Sequence, residues 1–511
     1  MPKELAGFYY DAEKNRYFPL KGPIPGSSSA VKKTAQKQSL NPTQGTNFCR
    51  RNRVRTSKLL QARELSGNLV DSIKGKCNFM EEVLKKQASQ PMVWKFRGTE
   101  KMGDGALDQF LMRIQTLEGQ TEVHGLITGG TNGFLSLLET GKPGQRSHNG
   151  IKFMPDRVSP VIEETKAEWS KAPGHIWQPA GASLYMPSNI SYIKMSGRHS
   201  PYAADDNFSV QRGLITTLGS ETAGGSVCLL NIPEPLDPYS ITSIRQMVRE
   251  IASFNCTIWT ADCNHNASQA VIGTSLGAAM VNLETGTSTW ICKSKSDVLA
   301  QQLDQSGNNV LCGLRNGAIL TVDIREKREG FSGRLIRHRI PYSQFATSRQ
   351  NSSKQWFELR GNIDPSCTLY MPSSICCLVS LQSYDQYFLA SSMDGSIKLY
   401  DHRMAKRGAI QSYEGHVNSH TRLQFGVDQT ERFLMAGGED CNLRLWSIKS
   451  GELLFEEKIS DSVLSTVRWQ GPERPKRIPS ENESYEGCLS EMSNWGTWCA
   501  SEKGLFYMHW S

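Results

Sequence analysis

Apolar and polar residues alternate in a pattern that recurs along most of the chain. The pattern is an apolar strand, a tight turn and a second apolar strand that ends in polar residues. It occurs seven times, in turns centred on Gly133, Gly225, Gly277, Gly317, Gly395, Cys441 and Gly504. The shortest separations are close to the length of a four-stranded propeller blade, about 40–45 residues. We therefore predict an all-β fold, a seven-bladed β-propeller over residues 91–511.

Two further features refine this prediction. The last strand, LFYMHW, leaves its blade one strand short, so we expect MVWKFRG (residues 92–98) to complete that blade and close the ring. The longer separations between hairpins carry hydrophilic insertions at residues 196–210, 338–356 and 471–487. We predict that these insertions are surface loops.

The residues before the propeller do not show the repeating hairpin pattern. We predict that residues 1–56 are a mostly disordered arm, because residues 21–57 lack a regular apolar pattern. This arm contains the basic cluster RRNRVR (residues 50–55) and an aromatic signature, FYYDAEKNRYF, whose role stays open. For residues 57–90 the apolar spacing predicts two short helices, with a break near Gly75 and an end at Pro91.

The positive charge of the chain is local. The formal net charge is +8, yet residues 21–63 hold ten Lys or Arg and no acid, and residues 1–20 are balanced. Residues 64–511 therefore carry a charge of −2. The body is near neutral and the arm has no interleaved aromatic residues, so we expect at most nonspecific, salt-sensitive contact with nucleic acid.

Composition also bears on the cellular compartment. No run of 18 apolar residues is present, so no membrane span is expected. The N-terminal residues lack the apolar core of a secretory signal. The 13 cysteines are an odd number and lie mostly within apolar runs, which is typical of reduced, buried thiols. These features predict a protein of the nucleus and cytoplasm.

Motifs for catalysis are weak. Gly273–Gly277 matches the GxSxG pattern, but that motif requires a strand followed by a helix, whereas Ser275 falls in a predicted hairpin turn. Cys263 and His265 are close in sequence without a second pair at zinc-finger spacing. We expect no catalytic residue, no metal site and no cofactor.

One hairpin resembles the signature of WD repeats. Gly415-His416 precedes its first strand, Asp440 lies in its turn and Trp446 lies late in its third strand. We predict a structural role for His416, Asp440 and Trp446, in which the histidine links the aspartate to the indole ring. Asp394 holds the corresponding turn position in the hairpin before it.

That preceding hairpin, FLASSMDGSIKLYDHR (residues 388–403), carries the most specific pattern. Two apolar and three small residues lead to Asp394, and aliphatic residues then lead to Tyr400, Asp401 and Arg403. An ending of this kind can simply be the charged end of a strand. However, every position matches the box by which WD-repeat proteins dock on damaged-DNA-binding protein 1 (DDB1), the adaptor of cullin-4 ubiquitin ligases.

The resemblance extends beyond this box. LAGFYYDAEKNRYFPL, SDVLAQQL, NGAILTVDIR and SYEGHVN are similar to the family of cullin-4-associated factors of subtype four, also described as WD-repeat protein 21. The resemblance implies that Arg403 contacts the adaptor while Asp401 and Tyr400 hold the strand end. It gives Asp323 and Arg325 the same roles in a degenerate second copy, in which Val322 replaces the aromatic residue. Trp446-Ser447-Ile448-Lys449 departs from the box at the acid.

The function implied by this resemblance is that of a non-catalytic substrate receptor. Its partners would be the DDB1 adaptor, the cullin-4 RING ligase and a protein substrate that the sequence does not name. The segment Leu59–Leu84 could also touch the adaptor, without a motif that assigns residues. Two alternatives stay open: a WD-repeat scaffold for chromatin or RNA–protein complexes, and a hydrolase that uses Ser275.

Overall fold

The structure is a computed structural model. It describes residues 8–11, 16–19, 59–61, 64, 69–72, 75–116, 119–141, 150–160, 173–196, 209–220, 223–236, 243–325, 336–339, 356–361, 368–470 and 496–510. The basic cluster at residues 50–55 and most of the three predicted insertions lie outside these ranges. Within them, no helix is long and apolar enough to cross a membrane.

Seven antiparallel sheets form the blades of a β-propeller, as the sequence predicts. Blade 1 contains Ala106–Thr116, Gly119–Gly129, Phe134–Thr140 and the outer strands Gly150–Phe153, Ile176–Pro179 and Ser183–Tyr185. Blade 2 contains Ile190–Met195, Ser209–Thr217, Ser226–Glu234 and Val248–Ser253. Blade 3 contains Ile258–Cys263, Gln269–Thr274, Gly277–Asn282, Ser288–Ser294, Trp356–Gly361 and Ile336–Arg339.

The remaining blades are more regular. Blade 4 contains Val298–Leu303, Asn309–Leu314, Ala318–Asp323 and Leu369–Tyr370. Blade 5 contains Ile375–Ser380, Tyr387–Ser392, Ile397–Asp401 and Gln411–Tyr413, with the 3-10 turn His402–Arg407 after its third strand. Blade 6 contains Phe425–Val427, Phe433–Gly437, Asn442–Ser447 and Leu453–Lys458. In every blade the predicted hairpin is the pair formed by the second and third strands.

Blade 7 is closed by a strand from far earlier in the chain, as predicted. It contains Leu464–Trp469, Gly496–Ser501 and Gly504–His509, and its fourth strand is Met92–Phe96. Met92 pairs with His509 and Lys95 pairs with Phe506. The strand Pro155–Ser159 pairs with the outer side of Met92–Phe96. Closure buries the ladder groups that an open edge would leave without partners.

Parts of two insertions are not loops. Ser209 and Val210 lie in the strand Ser209–Thr217 of blade 2. His338, Arg339 and Trp356 were predicted in a surface loop but lie in two strands that extend blade 3. Trp356–Gly361 pairs with Ser288–Ser294, whose outer edge would otherwise have unpaired backbone groups. The sequence does not reveal this because the strands leave blade 4 and pair with the blade before it.

Two hairpins also correct the predictions for the N-terminal residues. Phe8–Asp11 of the aromatic signature pairs with Arg16–Pro19, where no strand was predicted. Leu69–Ser72 pairs with Gly75–Asn78, where a helix was predicted. In the second hairpin, local sequence preferences are weak, and strand pairing decides the structure.

The second predicted helix is present. It runs over Phe79–Ala88, and Asn78 caps it because the Asn78 side-chain oxygen accepts a hydrogen bond from the N–H of Met80 at 2.9 Å. Leu84 and Ala88 are buried against the apolar core that blades 6 and 7 share. The indole N–H of Trp510 donates to the Ala88 carbonyl oxygen at 2.9 Å, which attaches the end of the helix to blade 7.

Candidate docking site

The third strand of blade 5 ends in a fixed acid–base pair. The Asp401 carboxylate accepts hydrogen bonds from the backbone N–H of Arg403 at 2.8 Å, from its Nε at 3.1 Å and from its Nη2 at 2.9 Å. The Asp401 side chain is fully buried, whereas the Arg403 side chain is 65% exposed. The hydrogen bonds from Arg403 lower the pKa of Asp401. A buried carboxylate therefore fixes the direction of an exposed guanidinium group.

Blade 4 repeats this arrangement. The Asp323 carboxylate accepts from the backbone N–H of Arg325 at 2.9 Å, from its Nε at 3.1 Å and from its Nη2 at 2.7 Å. The Arg325 side chain is also 65% exposed, and its hydrogen bonds lower the pKa of Asp323. The replacement of the aromatic residue by buried Val322 thus leaves the pair intact. Neighbouring blades present two arginines at equivalent positions.

Tyr400 supports the strand end from inside the blade. It is buried, and its ring stacks on Phe388 with 5.5 Å between ring centroids. Burial raises the pKa of Tyr400 to about 12, so the hydroxyl is neutral. The His402 ring lies 4.5 Å from the Phe388 ring. Tyr400 and Asp401 therefore hold the end of the strand, and the exposed group of the box is Arg403.

Loops between the first and second strands lie directly beside these pairs. The backbone N–H between acid and arginine donates to such a loop in both blades: Ile324 to the Asn308 carbonyl at 2.9 Å, and His402 to that of Gln386 at 2.9 Å. Blade 6 has the same bond, from Ile448 to the Arg432 carbonyl at 2.8 Å. We call this set of segments the docking rim: residues 304–308, 323–325, 382–386, 401–403, 428–432 and 447–449.

The docking rim is connected from blade to blade. Gln305 Nε2 donates to the Gln382 carbonyl oxygen at 3.0 Å, which joins blade 4 to blade 5. The Ser383 N–H donates to the Glu431 carboxylate at 3.1 Å, which joins blade 5 to blade 6. These bonds fix the spacing of the exposed arginines. A preorganised surface loses less entropy when a partner binds.

Exposed apolar residues accompany Arg403. Asp401 chiefly raises the pKa of Arg403, and Asp385 of the neighbouring loop and Tyr387 at the start of the next strand also contribute, which places that loop beside the guanidinium group. Tyr384 of this loop is exposed and lies 6.4 Å from Tyr387, ring to ring. Met404, directly after Arg403, is exposed as well. An arginine among exposed apolar side chains is typical of the centre of a protein interface.

Blade 6 departs from the pattern, and the structure shows what replaces it. Ser447 stands where the acid stands in blades 4 and 5, and Lys449 stands where the arginine stands. Lys449 Nζ donates to Glu81 Oε1 of the helix at 2.6 Å. The helix Phe79–Ala88 thus continues the docking rim beyond blade 6. Sequence reasoning missed this contact, although Lys449 is in register with Arg403 and Arg325.

The WD-repeat residues of blade 6 are structural, with one correction. The predicted link from His416 to Asp440 is not formed: His416 Nε2 lies 3.0 Å from the Gly437 carbonyl oxygen, and Nδ1 lies 3.3 Å from that of Gly395. The His416 ring packs edge-on against Trp446 with 6.4 Å between centroids. Because Gly395 belongs to blade 5, His416 joins two blades through carbonyl oxygens.

The two predicted turn aspartates have separate partners. Asp440 accepts a hydrogen bond from Arg444 Nη1 at 2.9 Å. Asp394 accepts from the N–H of Ser396 at 3.0 Å and from its hydroxyl at 2.6 Å, which stabilises the hairpin turn. Neither carboxylate contacts His416, because each is held by residues of its own hairpin.

Gly395 gives a test of the contact between blades. Its φ is +81°, and a Cβ placed there would lie 2.8 Å from the His416 carbonyl oxygen. We expect Gly395→Ala to lower the free energy of unfolding by more than the ~1–2 kcal/mol that a left-handed backbone alone costs. The matched control is Gly408→Ala, because Gly408 has a φ of +88° and a Cβ placed there would meet nothing within 4 Å. Equal losses in denaturant unfolding would contradict a close contact between the blades.

The other candidate residues do not form a site. Ser275 lies in the hairpin turn between Gln269–Thr274 and Gly277–Asn282, as predicted, and its N–H donates to the Thr257 carbonyl oxygen at 3.0 Å. Cys263 is buried, and burial raises the pKa of its thiol to about 12. Among the described residues, no group of three or more His, Cys, Asp and Glu side chains is placed to hold a metal ion.

The part of the chain that contains Arg403 is similar in sequence to known proteins. Residues 354–462, which include Arg403 and its acid, match the family model described as the DDB1- and CUL4-associated factor 4 beta-propeller domain. The chain resembles this family, as the sequence predicts. The bovine and human proteins named DDB1- and CUL4-associated factor 4 are each 32% identical over 161 residues, which is 32% of this chain and 26% of theirs.

Two less similar proteins also match this chain. The human DDB1- and CUL4-associated factor 4-like protein 2 is 30% identical over 182 residues, which is 36% of this chain and 37% of that protein. WD repeat-containing protein 21 of Schizosaccharomyces pombe is 27% identical over 198 residues, 38% of each chain. The chain therefore spans about a quarter of the length of the bovine and human relatives that it matches.

Proposed function

We propose that this chain is a non-catalytic substrate receptor of a cullin-4 ubiquitin ligase that binds the adaptor DDB1 through the docking rim. The observation that carries the proposal is the duplicated pair, Asp323 with Arg325 and Asp401 with Arg403, on neighbouring blades. The names of the bovine and human relatives associate those proteins with DDB1 and CUL4. Supporting evidence is thus both geometric and comparative.

The chemistry of the rim suits a protein partner. Guanidinium is a planar group with five donors, and arginine is enriched among the residues that dominate binding energy at interfaces. Because buried Asp401 and partly exposed Asp323 already orient Arg403 and Arg325, little side-chain entropy is lost when these arginines are bound. The adjacent exposed Tyr384 and Met404 would exclude water from the contact.

The helix Phe79–Ala88 enlarges this surface. A stable interface buries about 800 Å² on each partner, more than two arginines and their neighbours offer. Glu81 holds the helix beside Lys449, so its exposed side lies next to blade 6 of the docking rim. We propose that the adaptor contacts both the helix and the rim, with Asp323, Asp401 and Tyr400 as supporting residues.

Binding to purified DDB1 tests the proposal against its alternative. We expect the full chain to bind DDB1 with nanomolar affinity that changes little as salt is raised. A scaffold for chromatin or RNA–protein complexes would instead bind duplex DNA or RNA with affinity that falls steeply with salt. The same protein preparation is titrated with DDB1, duplex DNA and RNA at two salt concentrations. Tight nucleic-acid binding without DDB1 binding would contradict the receptor proposal.

A further inference from the structure

Arg422 lies in the central channel, away from the exposed arginines of the docking rim. Arg422 lies shortly before the first strand of blade 6, Phe425–Val427. Its Nε donates to the Leu299 carbonyl oxygen of blade 4 at 3.2 Å, and its Nη1 donates to that of Ser191 in blade 2 at 3.3 Å. Both acceptors belong to first strands, which line the channel. The Arg422 side chain therefore reaches from blade 6 across the channel to two other blades.

Other cations in the channel have acidic partners. Lys194 forms an ion pair with Asp262. Arg468 lies 3.8 Å from an Asp108 carboxylate oxygen and 3.4 Å from the Tyr192 hydroxyl. These contacts compensate the two charges within the protein.

Arg422 is different. Its hydrogen-bond partners in the described part of the chain are carbonyl oxygens, and no carboxylate there pairs with it. The titratable groups around it are Cys377, Cys376 and Tyr192. Burial raises the pKa of all three, to about 12 for Cys376, so they are neutral at pH 7. Burial also lowers the pKa of Arg422, as expected for a cation without a counter-charge.

The guanidinium group also has unused donors. Of its five N–H groups, two donate to Leu299 and Ser191, which leaves three without a partner among the described residues. Arg422 is partly buried, and burial of a cation without a counter-ion is unfavourable. A carboxylate or phosphate that accepts from Nη1 and Nη2 would supply both the missing charge and the missing acceptors.

The loop that carries Arg422 is held in place. Asn418 Nδ2 donates to the Thr421 carbonyl oxygen at 2.9 Å. The Glu439 carboxylate accepts from the Thr421 N–H at 2.9 Å and from the Ser419 hydroxyl at 2.6 Å. Burial alone would raise the pKa of Glu439, but these hydrogen bonds outweigh it and lower the pKa to about 2. Arg422 is therefore presented by a fixed loop.

The position of Arg422 leaves the adaptor surface free. Arg422 precedes a first strand, and Ser191 and Leu299 are the second residues of theirs. The loops of the docking rim follow the first strands of blades 4, 5 and 6. The channel mouth at Arg422 is thus at the opposite end of the strands from the docking rim. A ligand at that mouth would not compete with a protein bound at the rim.

We propose that Arg422 binds an oxyanion of a peptide segment that enters the channel, and that this peptide belongs to the target protein. This inference rests on the proposed receptor function and names its substrate class, proteins that present a carboxylate on an extended segment. The carboxylate could be a chain terminus or an Asp or Glu side chain. Both sources offer the same two-oxygen acceptor for a guanidinium fork.

Two random-sequence octapeptide pools test the proposal, one with free C-terminal carboxylates and one with C-terminal amides. Each pool is incubated with the immobilised full chain, and retained peptides are quantified by mass spectrometry. If a chain terminus is bound, retention should require the free carboxylate. If a side chain is bound, both pools should be retained with enrichment of Asp or Glu. Absence of retention, or retention without either preference, would overturn the proposal.

Variants assign the binding to Arg422. We expect Arg422→Gln to reduce peptide retention at least tenfold, and Arg422→Lys, which keeps the charge without the fork, to restore part of it. Arg249→Gln is the matched control, because Arg249 is exposed on the outer strand of blade 2. Equal retention by Arg422→Gln and wild type would overturn the proposal. A melting temperature of Arg422→Gln several degrees below that of wild type would make Arg422 structural and overturn it too.

Adaptor binding by the same preparations separates the two proposals. Arg422→Gln should bind DDB1 as wild type does, whereas Arg403→Ala should retain peptides as wild type does. If no preparation binds DDB1 but peptide retention still depends on Arg422, the receptor function fails and the channel site stands. If DDB1 binds and peptide retention does not depend on Arg422, the channel site fails and the receptor function stands.

Discussion

Replacing Arg403 with alanine should weaken binding of purified DDB1 by about thirtyfold, the effect of losing an interface hot spot. The reason is geometric: three hydrogen bonds to buried Asp401 hold the exposed guanidinium group in one direction before any partner arrives. Arg325 has the same bonds, so Arg325→Ala should also weaken binding. Titration calorimetry of wild type and each variant with DDB1 measures the change.

Controls distinguish docking from a structural role. Arg249→Ala removes an exposed arginine away from the docking rim and should leave the affinity unchanged. Asp401→Asn keeps the shape of the acid but removes the charge that orients Arg403, so it should weaken binding less than Arg403→Ala does. Because Arg403→Ala leaves the buried Asp401 carboxylate without its partner, the melting temperature of each variant is measured as well, and affinities are compared at a temperature at which all variants are folded. An affinity loss below threefold for Arg403→Ala would mean that the Arg403–Asp401 pair only ends the strand and does not contribute to DDB1 binding.

Removing Arg444 should give a large loss of stability. Its side chain is 3% exposed, and it donates to Asp440 Oδ1 at 2.9 Å and to Glu456 Oε1 at 2.9 Å. Arg444→Met leaves two carboxylates close together without a cation. Breaking a buried ion pair in this way costs about 3–5 kcal/mol. Denaturant unfolding of wild type and Arg444→Met at pH 7 measures the loss.

The pH dependence of that loss follows from Asp440. Burial raises the pKa of Asp440, but hydrogen bonds from Arg444 outweigh it and lower the pKa below the usual value. A lowered folded-state pKa stabilises the protein above the unfolded-state pKa, and this stabilisation is lost as the pH falls through the folded-state value. The difference between wild type and Arg444→Met should therefore narrow below about pH 4.

An exposed pair provides the control for Arg444. Lys458 lies 3.1 Å from Asp461, with 57% and 90% of their side chains exposed. Lys458→Met should change stability by less than ~1 kcal/mol, because solvent screens such a pair. If Arg444→Met cost no more than Lys458→Met, the charges around Arg444 would not be buried in solution.

Local chemistry made the repeating fold predictable. Each hairpin combines alternating apolar residues with a turn, and in blade 5 Asp394 and Gly395 supply the side-chain bond and the positive φ that the turn needs. The strand Met92–Phe96 was predictable as well, because the last blade lacked one strand. Arg403 was recognised as a candidate from the spacing of the residues in the box 388–403. Such features depend on residues within a single hairpin or on the number of hairpins.

Other features depended on residues from different blades. The sequence pattern predicted two helices with a break near Gly75, and strand pairing between Leu69–Ser72 and Gly75–Asn78 overruled it there. The link predicted between His416 and Asp440 failed because a carbonyl oxygen of blade 5 lies within reach of the histidine. The docking rim could not be predicted from the sequence, because it depends on contacts of Gln382 with Gln305 and Glu431 from the neighbouring blades. None of these contacts has a signature in local spacing.

The sequence by itself determined the seven hairpins, the closing strand and the Asp-x-Arg ending of blade 5, because hydrophobic alternation and turn chemistry act over a few residues. The tertiary structure alone decided that the Asp323–Arg325 pair keeps the geometry of the Asp401–Arg403 pair, that Lys449 pairs with Glu81 of the helix, and that Arg422 reaches the channel without an acidic partner among the described residues. Closure of the ring brings together residues that are more than a hundred positions apart in sequence, such as Arg422 and Leu299. Whether a charged side chain in the channel has a counter-ion therefore depends on residues from several blades.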